Sequence, residues 1–292
     1  MALLVLAVAG ADRKAGMDVV CYKSSKPLFW LHVPKTGTGF LNLVFRAGCP
    51  QSLTAPAVIT PRLLKPYATP PECWKANFSY FHSGHLGVYY GAFRVSAVVG
   101  LFRKPSTRVL SGFFDSLHDC EAMRKEMAEE ESVRPGAYDR FYKNFTRADV
   151  YRYADCVTAC ATRMLTGKPC DLKGRMLEAY RRNDKALRQR LRAAAAIARA
   201  RLMTMEFVGD TDDWDSSVRA FASYAGVPLR PMDLRNSHKG AYTDVDRQRV
   251  AEWLAGRRFE DDPLYELAAA RFVERTRVCL GWNATALLPS RR

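Results

Sequence analysis

The residues best equipped for chemistry sit between Pro27 and Phe40, in PLFWLHVPKTGTGF. Lys35 is followed at once by Thr36, Gly37, Thr38 and Gly39. A cation, two hydroxyls and two glycines in five residues suit an anion. The ammonium attracts it, the hydroxyls donate to it, and the glycines let the backbone come close. Such a group needs a rigid base on either side. Upstream, Leu28-Phe29-Trp30-Leu31 is a short apolar run that reads as a buried strand stopped by Pro34. Downstream, Phe40, Leu41, Val44 and Phe45 recur at helical spacing. The spacing therefore predicts strand, tight turn and helix start. The turn's N–H groups and the helix N-terminus both favour negative charge. An ordinary strand–helix connection uses the same residue types, and the lysine precedes the glycines instead of following them as in the common nucleotide loop.

A second element repeats the plan. Val95 to Phe102 is β-branched and apolar and predicts another buried strand, ending in Arg103-Lys104-Pro105. Pro105 stands where a helix begins, and Val109, Leu110, Phe113, Phe114 and Leu117 follow at helical spacing. A guanidinium at Arg103 and a hydroxyl at Ser111 would together hold a phosphate. Alone, each reads equally as a surface salt bridge and a helix-face serine.

Taken together, Pro-Lys-Thr-Gly-Thr resembles the 5′-phosphosulfate loop of sulfotransferases that use 3′-phosphoadenosine 5′-phosphosulfate (PAPS). Arg-x-Pro followed by x-x-Arg-x-x-Ser is similar to their 3′-phosphate element. The resemblance implies that Lys35, Thr36, Gly37, Thr38 and Gly39 receive the phosphosulfate and that Arg103 and Ser111 hold the 3′-phosphate. Lys239, in Lys239-Gly240, is similar to the closing loop that touches the same phosphate. The order of lysine loop, Gly84-His85 and Arg/Ser element resembles the Golgi glycan sulfotransferases, especially the uronyl 2-O-sulfotransferases. It implies His85 as catalytic base, with His82 as a neighbour. The family's His-Gly-His spacing is not reproduced, and either histidine also reads as a hydrogen-bonded structural one. Thr162-Arg163-Met164-Leu165-x-Gly167 resembles a shared family segment, which brings Arg163 in as a substrate-side candidate. A strand over Met203–Asp210, followed by Asp212 where the family commonly has glutamate, and a last helix opened by Asp262-Pro263-Leu264-Tyr265 complete the likeness. It runs discontinuously from about Leu28 to Phe272.

The 292 residues carry 45 Lys+Arg against 30 Asp+Glu, a net charge of +15, so acidic partners are expected or the charge merely aids solubility. Residues 175–203 predict one long helix or two. Leu187, Leu191, Ala194, Ala198 and Leu202 form an apolar stripe, with Lys185, Arg188, Arg192 and Arg199 on another face. Arg188 and Arg192 are the candidates to grip an anionic glycan, against a plainly solvated face. No nucleic-acid partner is expected. Residues 119–143 predict a solvated helix and a Pro135-Gly136 turn, and Asp149–Gly167 a helical stretch.

The eight cysteines include no C-x-x-C pair, and their even count fits disulfides of undetermined pairing. Sequons at Asn77, Asn144 and Asn283 would matter in a lumenal protein. Residues 1–20 read as a signal peptide, a truncated signal-anchor that would tether the chain to a membrane, or a plain strand. A Golgi-lumen enzyme follows from the resemblance.

The expected fold is a single α/β domain over residues 21–292, a central, mostly parallel sheet flanked by helices. The expected reaction is sulfuryl transfer from PAPS to a hydroxyl, on a carbohydrate, without metal. A small-molecule acceptor, an ATP-dependent phosphotransferase and a non-catalytic polyanion-binding protein remain the alternatives.

Overall fold

A computed structural model describes residues 26–37, 39–48, 78–80, 87–88, 92–234 and 243–280. Residues 1–20, Thr38, His82, His85 and Lys239, with the Pro-rich stretch 49–77, lie outside the described residues.

The chain begins with β1 (Leu28–Leu31), α1 (Phe40–Gly48), β2 (Phe78–Tyr80), the one-turn α2 (Ala92–Val95) and β3 (Ala97–Phe102). It continues through α3 (Pro105–Phe113), α4 (Glu121–Val133), α5 (Ala137–Asn144), α6 (Arg147–Cys156), α7 (Cys160–Leu165), α8 (Arg175–Arg181) and α9 (Lys185–Thr204). Then come β4 (Phe207–Asp210), α10 (Trp214–Ala225), a 3-10 turn (Pro231–Leu234), α11 (Asp244–Ala255) and α12 (Asp262–Leu280).

All strand pairs among the described residues are parallel, in the order β2-β1-β3-β4. β1, β3 and β4 form a continuous register, while the short β2 pairs irregularly on the β1 edge. Both faces of this sheet are covered, which explains why its strands read as unbroken apolar runs. Alternation sends Phe29, Leu31, Val98, Phe102 and Val208 into one core. Leu28, Trp30, Ala97, Val99, Leu101 and Phe207 go into the other. Phe40, Leu43 and Val44 of α1 and Val218 and Phe221 of α10 fill the second core. The first is larger and takes Val109 and Phe113 of α3, Val150 and Tyr153 of α6, and Leu187, Leu191, Ala198 and Leu202 of α9. Each buried Val, Leu or Phe side chain among them contributes roughly 1.5–3 kcal/mol relative to exposure.

Several boundaries differ from the sequence reading. Ala92–Val95 is a helical turn, so β3 starts at Ala97. α9 runs on to Thr204 and leaves only Phe207–Asp210 as strand. α3 stops at Phe113, and Leu117 reaches the core from a loop whose Ser116, Leu117 and Asp119 have φ of 53°, 54° and 61°. The stretch 149–167 breaks at Ala159, φ 51°. Residues 175–203 follow the two-helix alternative, as α8 and α9.

Two cysteine pairs stand at disulfide distance. Cys120 and Cys156 join the start of α4 to the end of α6, Cα atoms 5.7 Å apart. Cys160 and Cys170 close the loop after α7, Cα atoms 4.2 Å apart. Among the described residues no helix is long and apolar enough to cross a membrane.

Candidate functional site

In an open parallel sheet, ligands bind beyond the carboxyl ends of the strands, where successive connections leave in opposite directions. The order β2-β1-β3-β4 puts that point between β1 and β3. Lys35 follows β1 and Arg103 follows β3, so the two cationic candidates flank it. They touch: an Arg103 guanidinium N–H donates to the Lys35 carbonyl at 3.2 Å.

The turn after β1 is bent by Lys35 and Gly37, with φ of 62° and 94°. Gly37 is required twice. Its backbone is in the left-handed region, and a Cβ there would lie 2.3 Å from Cζ3 of Trp214. The Trp214 indole lies across the turn, Gly39 included, and its Nε1–H donates to the Asp233 carbonyl at 3.1 Å. Thr36 departs from expectation. Its hydroxyl donates to the Val33 carbonyl at 2.6 Å, as does its N–H at 3.3 Å, and the residue is buried. The Phe40 N–H is likewise taken by the Gly37 carbonyl. The turn thus offers a ligand Lys35 and the backbone near Gly37 and Gly39, with Thr36 acting as the brace.

Arg103 stands among charges of both signs. Burial of its guanidinium lowers its pKa, Asp212 raises it, and Arg247 and Arg108 lower it again. Its Nε is buried and has no hydrogen-bond acceptor among the described residues; Asp212 Oδ1 is 3.9 Å away. A buried guanidinium N–H left unpaired costs stability unless an anion meets it. Arg247, on α11, had no local signature that tied it to Arg103; only the packing of α11 against α3 brings it there. Ser111 is on α3 and partly exposed. Arg108 is buried and donates to the Val157 carbonyl at 3.0 Å, a structural post.

The loop after α3 adds groups that sequence reasoning passed over. Asp115 Oδ2 accepts from Lys35 Nζ at 2.8 Å and lies 3.1 Å from His118 Nδ1. The bond from His118, then that from Lys35, hold the Asp115 carboxyl well below the usual range against a burial penalty. The loop's three left-handed residues each cost roughly 1–3 kcal/mol, so the surroundings must hold it. Gly112 O accepts the N–H groups of Asp115 and His118 at 3.2 and 2.9 Å. The buried Tyr153 hydroxyl donates to the His118 carbonyl at 2.7 Å. Below them Phe113 packs against Phe141, Tyr142, Phe145 and Tyr153 with ring centroids 5.2–5.9 Å apart. A Cβ on Gly112 would fall 2.1 Å from the Tyr153 hydroxyl and 3.5 Å from Lys35 Cγ, which shows how closely Lys35 rides on α3.

Across the same edge, beyond β4, the Tyr265 hydroxyl lies 3.0 Å from Asp210 Oδ2 and 3.3 Å from Asp212 Oδ2. Burial, and the nearby Asp212, push the Asp210 carboxyl up to about 6.

The remaining candidates sit elsewhere. Arg163 is buried, its guanidinium donating to the Pro169 and Asp171 carbonyls at 3.0 and 3.1 Å; it fastens the loop after α7. Arg188 pairs with Glu260 and lies over the Tyr180 ring at 4.5 Å, so much of its charge is already engaged. Arg192 is exposed, as are Lys185 and Arg199. An open groove along Arg219, Ala222, Ser223 and Gly226–Leu229 is at the far end of α10 from Trp214 and contains none of the site residues. No group of three or more His, Cys, Asp or Glu among the described residues is arranged to hold a metal ion. No protein family, curated protein or solved structure matches the chain.

Proposed function

We propose that the chain is a PAPS-dependent sulfotransferase that moves the sulfuryl group to a hydroxyl on an anionic glycan. The observation that carries this reading is the unpaired, buried Nε of Arg103 beside Lys35 at the switch point. Two cationic centres on adjacent strand ends, with Arg247 and Arg108 adding to the field, suit a ligand with phosphates at both ends. Asp212 pulls the other way and must yield to the incoming phosphate.

In this reading Lys35, with the backbone near Gly37 and Gly39, holds the phosphosulfate, and Arg103 and Ser111 hold the 3′-phosphate. Thr38 and Lys239 join them by the resemblance alone. PAPS supplies an activated sulfuryl group. Lys35 stabilises the negative charge that collects on the leaving phosphate, which is positioning and electrostatic catalysis along an in-line path. The acceptor's hydroxyl must lose its proton as the new S–O bond forms, and the resemblance names His85 for that step. The charge of +15 and the exposed Arg192, Lys185 and Arg199 support a polyanionic acceptor. The cysteine pairs, and an exposed Asn144 at the end of α5, support a lumenal Golgi setting.

The test uses radiolabelled PAPS, an acceptor panel of glycosaminoglycans and small alcohols, and ATP as competitor. Label should pass to an anionic glycan, ATP should not compete, and Lys35→Ala should abolish transfer while the protein stays folded. Failure of adenosine 3′,5′-bisphosphate to bind in calorimetry would overturn the reading.

A further inference from the structure

We propose that His118 is the proton acceptor of the transfer and that Asp115 is the positioning residue that couples it to Lys35. The inference rests on the sulfotransferase reading and differs from it at one point, since the resemblance names His85.

An in-line transfer places the attacking and leaving oxygens on opposite sides of one sulfur. The cation that neutralises the leaving phosphate and the base that serves the hydroxyl must therefore stand a few ångströms apart without touching. One carboxylate meets that requirement here. Asp115 Oδ2 is 2.8 Å from Lys35 Nζ and 3.1 Å from His118 Nδ1. Lysine has three N–H donors, so Lys35 can keep Asp115 and still reach the phosphosulfate. A carboxylate accepting from Nδ1–H fixes the imidazole in the tautomer whose Nε2 carries the lone pair. The same carboxylate stabilises the imidazolium that forms. His118 is 31% exposed through its side chain, so a substrate hydroxyl can reach the ring. Its backbone is pinned from three directions, by Gly112 O, by the Tyr153 hydroxyl, and by Cys120 two residues on, which pairs with Cys156.

The step balances. The acceptor oxygen forms a bond to sulfur while its proton moves to His118 Nε2. The bond from sulfur to the bridging phosphate oxygen breaks, its electron pair remains on that phosphate, and Lys35 compensates the charge. The products are the sulfate ester, adenosine 3′,5′-bisphosphate and one proton, released later from the imidazolium.

Among the described contacts, the charged and titratable groups facing the imidazole include Asp115, Lys35 behind it, Asp119 with Oδ2 3.8 Å from Nε2, and the Tyr153 hydroxyl on its carbonyl. Removing the charge of Asp115 leaves Lys35 uncompensated beside the ring. That disfavours the imidazolium and moves its titration to lower pH.

The probe is hydrolysis of radiolabelled PAPS, with water as acceptor, so the natural acceptor need not be known. Rate is followed against pH for wild type, His118→Gln, Asp115→Asn and His85→Ala, with bisphosphate affinity and melting temperature as fold controls. Wild-type kcat should rise through a histidine titration. His118→Gln should lose that limb and about 10²–10⁴ in kcat with donor affinity intact. Asp115→Asn should keep the limb but shift it to lower pH with reduced kcat, a change that a purely structural aspartate would not produce. A His118→Gln enzyme that keeps the limb and wild-type kcat overturns the assignment while leaving sulfuryl transfer standing. If His118→Gln fails to fold, an unmoved limb in Asp115→Asn overturns it equally. Absence of bisphosphate binding in wild type instead brings down the sulfotransferase reading.

Discussion

Replacing Arg103 by glutamine tests the proposed donor site at its centre. The guanidinium is mostly buried, so much of its desolvation has already been met in folding. Its Nε has no acceptor, and the other contacts are a 3.2 Å bond to the Lys35 carbonyl and a 3.9 Å approach to Asp212. A phosphate that meets this group gains a charge-assisted bond without displacing a protein hydrogen bond at Nε. Such a bond is worth about 1.5–3 kcal/mol. Its loss should weaken adenosine 3′,5′-bisphosphate binding roughly 10- to 150-fold, at about 1.4 kcal/mol per decade. Asp212→Asn should do the opposite. It removes a carboxylate that competes with the phosphate for Arg103, so the bisphosphate should bind more tightly than to wild type. Titration calorimetry reads both variants at one salt concentration, since added salt screens these charges. Arg103 also steadies the Lys35 turn, so a melting curve must accompany each titration. Equal affinity in wild type and Arg103→Gln, with melting unchanged, would refute the reasoning. Loss of affinity in Asp212→Asn would show instead that the carboxylate supports the ligand.

Two further expectations follow from particular groups. Asp210 has its carboxyl raised from the ordinary 3.8 to about 6, chiefly by burial, so the folded state binds a proton that the unfolded state releases. Its contribution is fully present below pH 3.8 and lost as pH rises to about 6, a shift equivalent to roughly 3 kcal/mol at most. Asp210→Asn should therefore raise the melting temperature above pH 6 and flatten its decline between pH 4 and 6; equal pH dependence in the two proteins would contradict the shift. For the cysteines, non-reducing peptide mapping of protein from its native cells should find Cys120 linked to Cys156 and Cys160 to Cys170. Chain-entropy estimates give the two loops roughly 4 and 3 kcal/mol, so reduction should lower the melting temperature by many degrees, and free thiols at these positions would remove the support for a lumenal setting.

The sheet was legible because its strands are buried on both faces. Leu28–Leu31 and Ala97–Phe102 read as continuous apolar runs, and the turns after them carry the only Pro-Lys and Arg-Lys-Pro sequences at strand ends. Lys35 and Arg103 were singled out for that reason. Their direct contact was not legible, because pairing of β1 with β3 is set by tertiary structure. Thr36 misled for a different reason: residue type says that a hydroxyl is present, and only geometry says that Val33 has taken it. Arg163 misled likewise, its donors spent on two carbonyls of its own loop. The loop at 115–119 was hidden by its pattern. Val109, Phe113 and Leu117 keep helical spacing, so periodicity carried the helix four residues too far. Leu117 is buried from a left-handed backbone instead, and that departure turns Asp115 and His118 toward Lys35. No glycine marks the turn. The signal was the polar cluster Asp115-Ser116 and His118-Asp119 interrupting an apolar face, which fits a helix end better than a helix interior.

The two carboxylates nearest the strand ends are driven in opposite directions. Asp115 is half exposed and hydrogen-bonded by His118 and Lys35, which favours its charge. Asp210 is more deeply buried, has Asp212 close by, and receives the Tyr265 hydroxyl, and the burial outweighs that bond. Environments that push like groups apart commonly separate their roles. Asp115 stays ionised down to strongly acid pH. Its contribution is present above the ordinary carboxylate range and fades only as pH falls below it, so the link between Lys35 and His118 holds across the neutral range. Asp210 gains and loses its proton near pH 6, at the end of β4 and beside the Asp212 that opposes phosphate binding at Arg103. Above pH 6 its negative charge adds to that of Asp212 and draws on the same guanidinium. Donor binding should thus be more demanding on the alkaline side, while the proton acceptor works better there. On the proposed reading, Asp210 and the proton acceptor set these opposing requirements, while Asp115 stays charged across both.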